Sequence, residues 1–214
     1  MLKLYGYFRS SAAFRVRIAL NLKGLAYEQA FVRLRNNEQR DPAYLARNPQ
    51  GLVPVLETDG APLVQSLAIV EYLDEIHPLP KLLPERPEDR ARVRAIAQII
   101  ACDIHPIDNL RVLRYLAKPL GHDDKAIEQW FNHWIRLGFE ALEPMLKDKR
   151  TGEFCHGDAP TLADICLVPQ VFNAKRYPSF DMTAFPTVGR IFANCMKLGA
   201  FQRAAPDHQP DFKK

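Results

Sequence analysis

The 214-residue chain lacks most of the features that would tie it to a membrane, a metal or a nucleic acid. No apolar stretch approaches the ~20 residues that span a bilayer, and the N-terminus does not read as a signal peptide. Its cysteines, Cys102, Cys155, Cys166 and Cys195, form no CxxC pair and no metal-ligand spacing. Reduced thiols in a cytoplasmic protein are the simplest account of them, and no metal is expected. Basic and acidic residues nearly balance, 29 against 25, and the basic ones are scattered. No Lys/Arg run is interleaved with aromatics, so neither nucleic acid nor membrane is an expected partner. Internal repeats and low-complexity tracts are also missing. What remains, 47% hydrophobic and 25% charged, is the composition of a globular protein with one large domain or two small ones.

The hydrophobic period changes repeatedly in the first third of the chain. Leu2 to Tyr7 reads as a strand. From Ala12 to Lys23, Ala13, Val16 and Leu20 recur at helical spacing beside a row of Phe14, Ile18 and Leu22, and Gly24 supplies a stop. Ala26 to Leu34 reads as a second strand, parallel to the first across a βαβ unit. Leu52 to Glu57, a turn at Asp59-Gly60, and Pro62 to Val64 read as a hairpin. A helix over Leu67 to Ile76 follows. This order, β-α-β then β-β-α, predicts a thioredoxin-like domain over residues 1–82.

Pro78, Pro80, Pro84 and Pro87 then mark an extended linker. Residues 88–214 read as an all-helical domain. Val93, Ile96, Ala97, Ile100, Ile104 and Ile107 mark one apolar stripe. Ile127, Trp130, Phe131, Trp134, Gly138, Ala141 and Met145 mark another, and Pro106 and Pro169 should kink their helices. The expected fold class is α/β plus all-α.

Several residues stand out chemically. Arg9, Ser10 and Ser11 lie between the first strand and its helix, where exposed N–H groups and the helix dipole attract an anion. A serine in that place also serves simply as an N-cap. Val53-Pro54 is either an edge-strand proline or, in a thioredoxin-like setting, a cis bond that turns the Val53 backbone toward a ligand. Gln65-Ser66 precedes a helix without the capping-box partner, since Ile69 stands three positions on; a carboxylate would suit it. Thr161 and Asp164, by contrast, do fit a capping box. His105 and Asn109 are four apart and should share a helix face. Arg176, with Arg9 and Arg111, forms a candidate carboxylate clamp.

Together these segments resemble the zeta-class glutathione transferases over essentially the whole chain. The resemblance rests on Tyr7-Phe-Arg-Ser-Ser-Ala-Ala-Phe-Arg-Val-Arg-Ile-Ala-Leu20, Asn48-Pro-Gln-Gly-Leu-Val-Pro54, Gln65-Ser-Leu-Ala-Ile69, Ala101-Cys-Asp-Ile-His-Pro106 and Asp158-Ala-Pro-Thr-Leu-Ala-Asp164. It implies glutathione as cofactor, with its thiol near Ser10 and Ser11, its backbone against Val53 and Pro54, and its γ-glutamyl carboxylate on Gln65 and Ser66. Gln50, His105 and Asn109 are implied as further contacts. Arg9, Arg111 and Arg176 are implied for the carboxylates of a small dicarboxylate substrate. The class includes isomerases of maleylacetoacetate and of maleylpyruvate, and a homodimer is expected from it. Ala12 departs from the class, which usually carries a cysteine there, so no protein thiol acts at that position.

The thiol sets the energetic requirement. Lowering a thiol pKa of ~8.5 by two units takes ~2.7 kcal/mol of preference for the thiolate. A helix dipole supplies ~0.3–1 kcal/mol. A hydroxyl hydrogen bond to a charged acceptor adds ~1.5–3 kcal/mol. The dipole alone is insufficient, the two together reach the target, and both are present in the pattern.

Overall fold

Alternation in the first residues gives strand β1 (Leu2–Gly6), and the chain then turns directly into helix α1 (Ser11–Leu22). The computed structural model describes residues 1–212. Gly24, at φ +66°, takes the left-handed conformation just after α1, which its missing Cβ permits. Strand β2 (Tyr27–Phe31) returns parallel to β1 and closes the βαβ unit. Two 3-10 turns and the short α2 (Pro42–Leu45) lead to β3 (Val55–Glu57) and β4 (Leu63–Val64), an antiparallel hairpin. Helix α3 (Ser66–Ile76) leaves directly from β4. The strand order is β2-β1-β3-β4, with β3 antiparallel to β1. This is the mixed sheet of the thioredoxin-like fold. Pro54 precedes an interior strand, so the edge-strand alternative does not apply; the Val53-Pro54 bond is cis.

In the other unit, α4 (Pro87–Gln98) continues into a π-helical turn over Ile99–Ile104, then α5 (His105–Asp108) and α6 (Leu110–Ala117). Helices α7 (Asp124–Met145), α8 (Leu162–Ala174) and α9 (Pro186–Cys195) complete it. The first expected stripe holds through Ile104: Val93, Ile96, Ala97, Ile100 and Ile104 are all buried, while Ile107, beyond the π-helical turn, is half-buried. The second is displaced around α7. The buried row is Ile127, Phe131, Ile135, Phe139 and Leu142, while Ala141 is exposed and Trp130 and Trp134 are half-buried. Indole rings are large and amphipathic, so they border a core more readily than they fill it. Gly138 matters for another reason: a Cβ there would sit 2.1 Å from Ile104 Cδ1. The π-helical turn therefore packs directly onto the α7 backbone. Thr161 and Asp164 form the expected capping box at the start of α8, which runs on through Pro169.

The last segment departs from the expected division. Residues 196–212, with α10 (Gly199–Ala204), cluster with Met1–Leu82, and the second unit is Leu83–Cys195. Helix α10 packs on α1, whose residues 11–20 are all buried, leaving it no solvent face. A helix covered on all sides needs more neighbours than the sheet and α3 provide. Local periodicity does not report this long-range return of the chain.

Candidate active site

The register of the sheet assembles one end of the first unit. Tyr5 pairs with Val55, and Val55 with Val64. The end of β1, the start of β3 and the end of β4 are therefore level. Arg9, Ser10 and Ser11 follow β1, Val53 and Pro54 precede β3, and Gln65 and Ser66 follow β4. Two helix N-termini, those of α1 and α3, start at this end and give it a positive potential.

Ser10 is the N-cap of α1: its Oγ accepts from the Ala13 N–H at 3.2 Å. The capping and functional readings are thus compatible. The cap uses a lone pair on Oγ, while a thiolate would take the hydroxyl hydrogen. Ser11 is the first helical residue and is buried, whereas Arg9 is exposed.

Gln65 sits at φ +68°, outside the ordinary range for a side-chain-bearing residue, and Ser66 opens α3 in a buried position. Ser66 Oγ accepts from Arg15 Nη1 at 3.2 Å, so its own hydrogen remains for an anionic partner. Arg15 is 2% exposed and places a buried cation beside the start of α3. Local sequence does not mark it, because a charged residue on a helix is ordinarily a solvated one. Its signal was the presence of Arg15 and Arg17 between two apolar rows that left α1 no free face.

The loop before Val53 is held from several directions. Tyr44 Oη and Asn48 Nδ2 both donate to the Leu52 carbonyl at 2.7 Å, and Asn48 Oδ1 accepts from the Gln50 N–H. Gln65 Nε2 donates to Gln50 Oε1 at 2.8 Å, joining the Gln50 and Gln65 segments.

In the helical unit, His105 opens α5 and Asn109 does not share its face. Asn109 is extended, at φ −77° and ψ 163°, and its Oδ1 caps α6 through the Arg111 and Val112 N–H groups. The expectation of one continuous helix fails because Asn favours a cap over a helix interior. Arg111 is exposed on the first turn of α6. Arg176 is exposed beyond α8, 5.2 Å from the Tyr177 ring and 5.7 Å from that of Phe131. Asp108, at the end of α5, is 3% exposed with neither carboxyl oxygen hydrogen-bonded. Burial pushes its carboxyl up to about 8.

Cys155, Cys166 and Cys195 are buried and Cys102 is exposed, all as free thiols. Burial pushes the Cys155 and Cys195 thiols well up, which makes them poor nucleophiles. Among the described residues, no group of three His, Cys, Asp or Glu could hold a metal, and no helix is long and apolar enough to cross a membrane.

A thioredoxin-like unit with two helix N-termini, paired hydroxyls and a cis-proline at one sheet end, joined to a helical unit, defines a glutathione transferase. Residues 1–75 match the family described as glutathione S-transferase, N-terminal domain. A probable maleylacetoacetate isomerase of Vibrio cholerae is 50% identical over 97% of both chains. The holo structure of a maleylpyruvate isomerase, a bacterial zeta-class transferase, is 49% identical with a TM-score of 0.96 over 99% of this chain and 100% of its own. A maleylacetoacetate isomerase of Methylobacterium extorquens AM1, solved with malonate and glutathione bound, is 44% identical with a TM-score of 0.95 over 99% and 100%. The chain belongs to the zeta-class glutathione transferases, among the maleylacetoacetate and maleylpyruvate isomerases.

Proposed function

We propose that this chain is a glutathione-dependent cis–trans isomerase that converts maleylacetoacetate to fumarylacetoacetate in aromatic amino-acid breakdown, acting in the cytoplasm as a homodimer. The observation that carries the reading is the level register of Tyr5, Val55 and Val64. It gathers Ser10, Ser11, Val53, Pro54, Gln65 and Ser66 at one sheet end, and Gln50 is tied to them through Gln65. The residues present suit that cofactor. Ser66, with its oxygen engaged by Arg15 and its hydrogen unspent, meets the γ-glutamyl carboxylate together with Gln65. Gln50 and the Val53-Pro54 backbone flank the peptide portion.

Bound glutathione would supply a thiolate nucleophile for reversible addition to the conjugated cis double bond, the chemistry by which a cis–trans isomerisation regenerates the thiol. The chain's part is to hold the thiol as an anion and the substrate in place. Ser10 and Ser11 would donate hydrogen bonds to the sulfur at the α1 N-terminus, favouring the charged form. Arg9, Arg111 and Arg176 bind the substrate carboxylates and offset negative charge that develops on the adjacent carbonyl oxygen. His105 and Asn109 support the cofactor. No protein thiol is required, in keeping with Ala12.

Maleylpyruvate is the second reading, favoured by the TM-score of 0.96 to an isomerase of that substrate. Maleylacetoacetate is favoured by the 50% identity, over 97% of both chains, to a probable isomerase of that substrate. The test is the isomerisation rate on each substrate with and without glutathione. Glutathione-dependent turnover without glutathione loss is expected, with the larger kcat/KM for maleylacetoacetate. Consumption of glutathione would indicate a detoxifying transferase. No turnover from protein that binds glutathione would leave a binding module.

A further inference from the structure

The peptide of Phe8, between β1 and the serines, is held at both polar groups by residues outside the loop. Its N–H donates to Asp211 Oδ2 at 3.0 Å, across 203 positions of sequence. Its carbonyl accepts from Arg17 Nη2 at 3.1 Å. An anion and a cation thus bracket one residue of the loop. The Phe212 ring meets the Phe8 ring edge-on at 5.5 Å.

The segment that presents Asp211 is itself firmly tied. Arg17 Nε donates to the Ala204 carbonyl at 2.9 Å. Gln209, buried, donates to the Arg203 and Ala205 carbonyls at 2.8 Å and accepts from Gln29 on β2. These bonds already secure the tail, so the Asp211 carboxylate is surplus to anchoring. Its hydrogen bond goes instead to the loop that opens α1. In that loop the Ser10 N–H donates to the Tyr7 carbonyl at 3.0 Å, so Tyr7 to Ser10 is one turn with Phe8 as its first inner residue. Holding Phe8 fixes the turn and, with it, where the Ser10 hydroxyl points.

We propose that Asp211 is a positioning residue for the thiol-activating serine, acting with Arg17 through the Phe8 peptide. The inference rests on the reading that Ser10 or Ser11 activates the glutathione thiol. A charged acceptor holds an N–H more firmly than a neutral one. An error in hydroxyl placement weakens the bond to sulfur, and the thiol then ionises less readily.

The test uses the full chain carrying Asp211→Ala or Asp211→Asn, with ultraviolet titration of the bound thiolate, a pH–rate profile and the thermal midpoint. Asp211→Ala is expected to raise the pKa of the bound thiol by about one unit, lowering the rate near pH 6.5 about fivefold. The rate should recover at alkaline pH, where the thiol ionises without help, and KM for the maleyl substrate should stay unchanged. Asp211→Asn, whose amide oxygen still accepts from Phe8, should fall between the two. Should Asp211→Ala not fold, Asp211→Glu displaces the carboxylate by one methylene and carries the same expected sign. An unchanged thiol pKa in the folded variant overturns the proposal, even with a lower thermal midpoint. Ser10→Ala and Ser11→Ala separate the failures. If neither serine moves the thiol pKa, the underlying reading fails; if one does and Asp211 does not, only this inference fails.

Discussion

In the thioredoxin-like unit, the buried arginines reach the loops at the end of the sheet: Arg15 holds Ser66 and Arg17 holds the Phe8 carbonyl. In the helical unit, the buried polar groups reach the framework. Arg92 donates to the Met145 and Cys155 carbonyls and to Thr151 Oγ1, and Glu143 accepts from the Thr187 and Val188 N–H groups at the start of α9. The arginines assigned to substrate there, Arg111 and Arg176, are exposed instead. The contrast fits two tasks. An invariant cofactor is served by hydroxyls and amides fixed from beneath, because fixed groups lose little freedom on binding. A substrate carboxylate is met by long side chains that still have freedom to adjust.

The largest expected effect breaks the framework side of this comparison. Arg92→Met leaves the half-buried Met145 carbonyl and Thr151 hydroxyl without their donor, and takes a donor from the buried Cys155 carbonyl. It should cost about 3 kcal/mol in denaturant unfolding, with little change in KM for glutathione. Ser10→Ala sharpens the other side. It removes the cap of α1, at about 1 kcal/mol of stability, and should lower kcat roughly tenfold to hundredfold. If Ser11→Ala alone lowers kcat, the hydroxyl that meets the sulfur is that of Ser11.

Asp108 gives the helical unit a pH signature of its own. Its carboxyl ionises near pH 4 in the unfolded chain and, through burial, near 8 in the folded one. Between those values the folded state holds the extra proton, so this group's contribution to stability falls as pH rises from about 4 to about 8. Asp108→Asn should remove that slope. The variant is expected to gain about 1–3 kcal/mol over the parent at pH 8 relative to pH 4, read from urea midpoints. The smallest effect is that of Tyr44→Phe. The Leu52 carbonyl keeps the Asn48 donor, so the loss should be about 1 kcal/mol, with a KM for glutathione raised by roughly fivefold.

Legibility in the sequence followed the range of the interaction. The βαβ opening, the hairpin and the Thr161–Asp164 capping box were readable because each is written in period or spacing over a few residues. The break at Asn109 was not, since a helical pattern in the apolar residues persists across a single capping residue. The α7 core row was misplaced because Trp130 and Trp134 were counted as interior by hydrophobicity alone. Within the candidate site, Ser10, Ser11, Val53, Gln65 and Ser66 were legible as residues at element junctions. Arg15, Arg17 and Asp211 were not, because their significance comes from partners 9 to 203 positions away.

The division of tasks is tested most directly by measuring KM for glutathione and for the maleyl substrate in Ser66→Ala and in Arg176→Ala. The account predicts that Ser66→Ala raises KM for glutathione roughly tenfold or more while leaving KM for the substrate in place. It predicts the converse for Arg176→Ala. A rise in both constants by similar factors in either variant would contradict it.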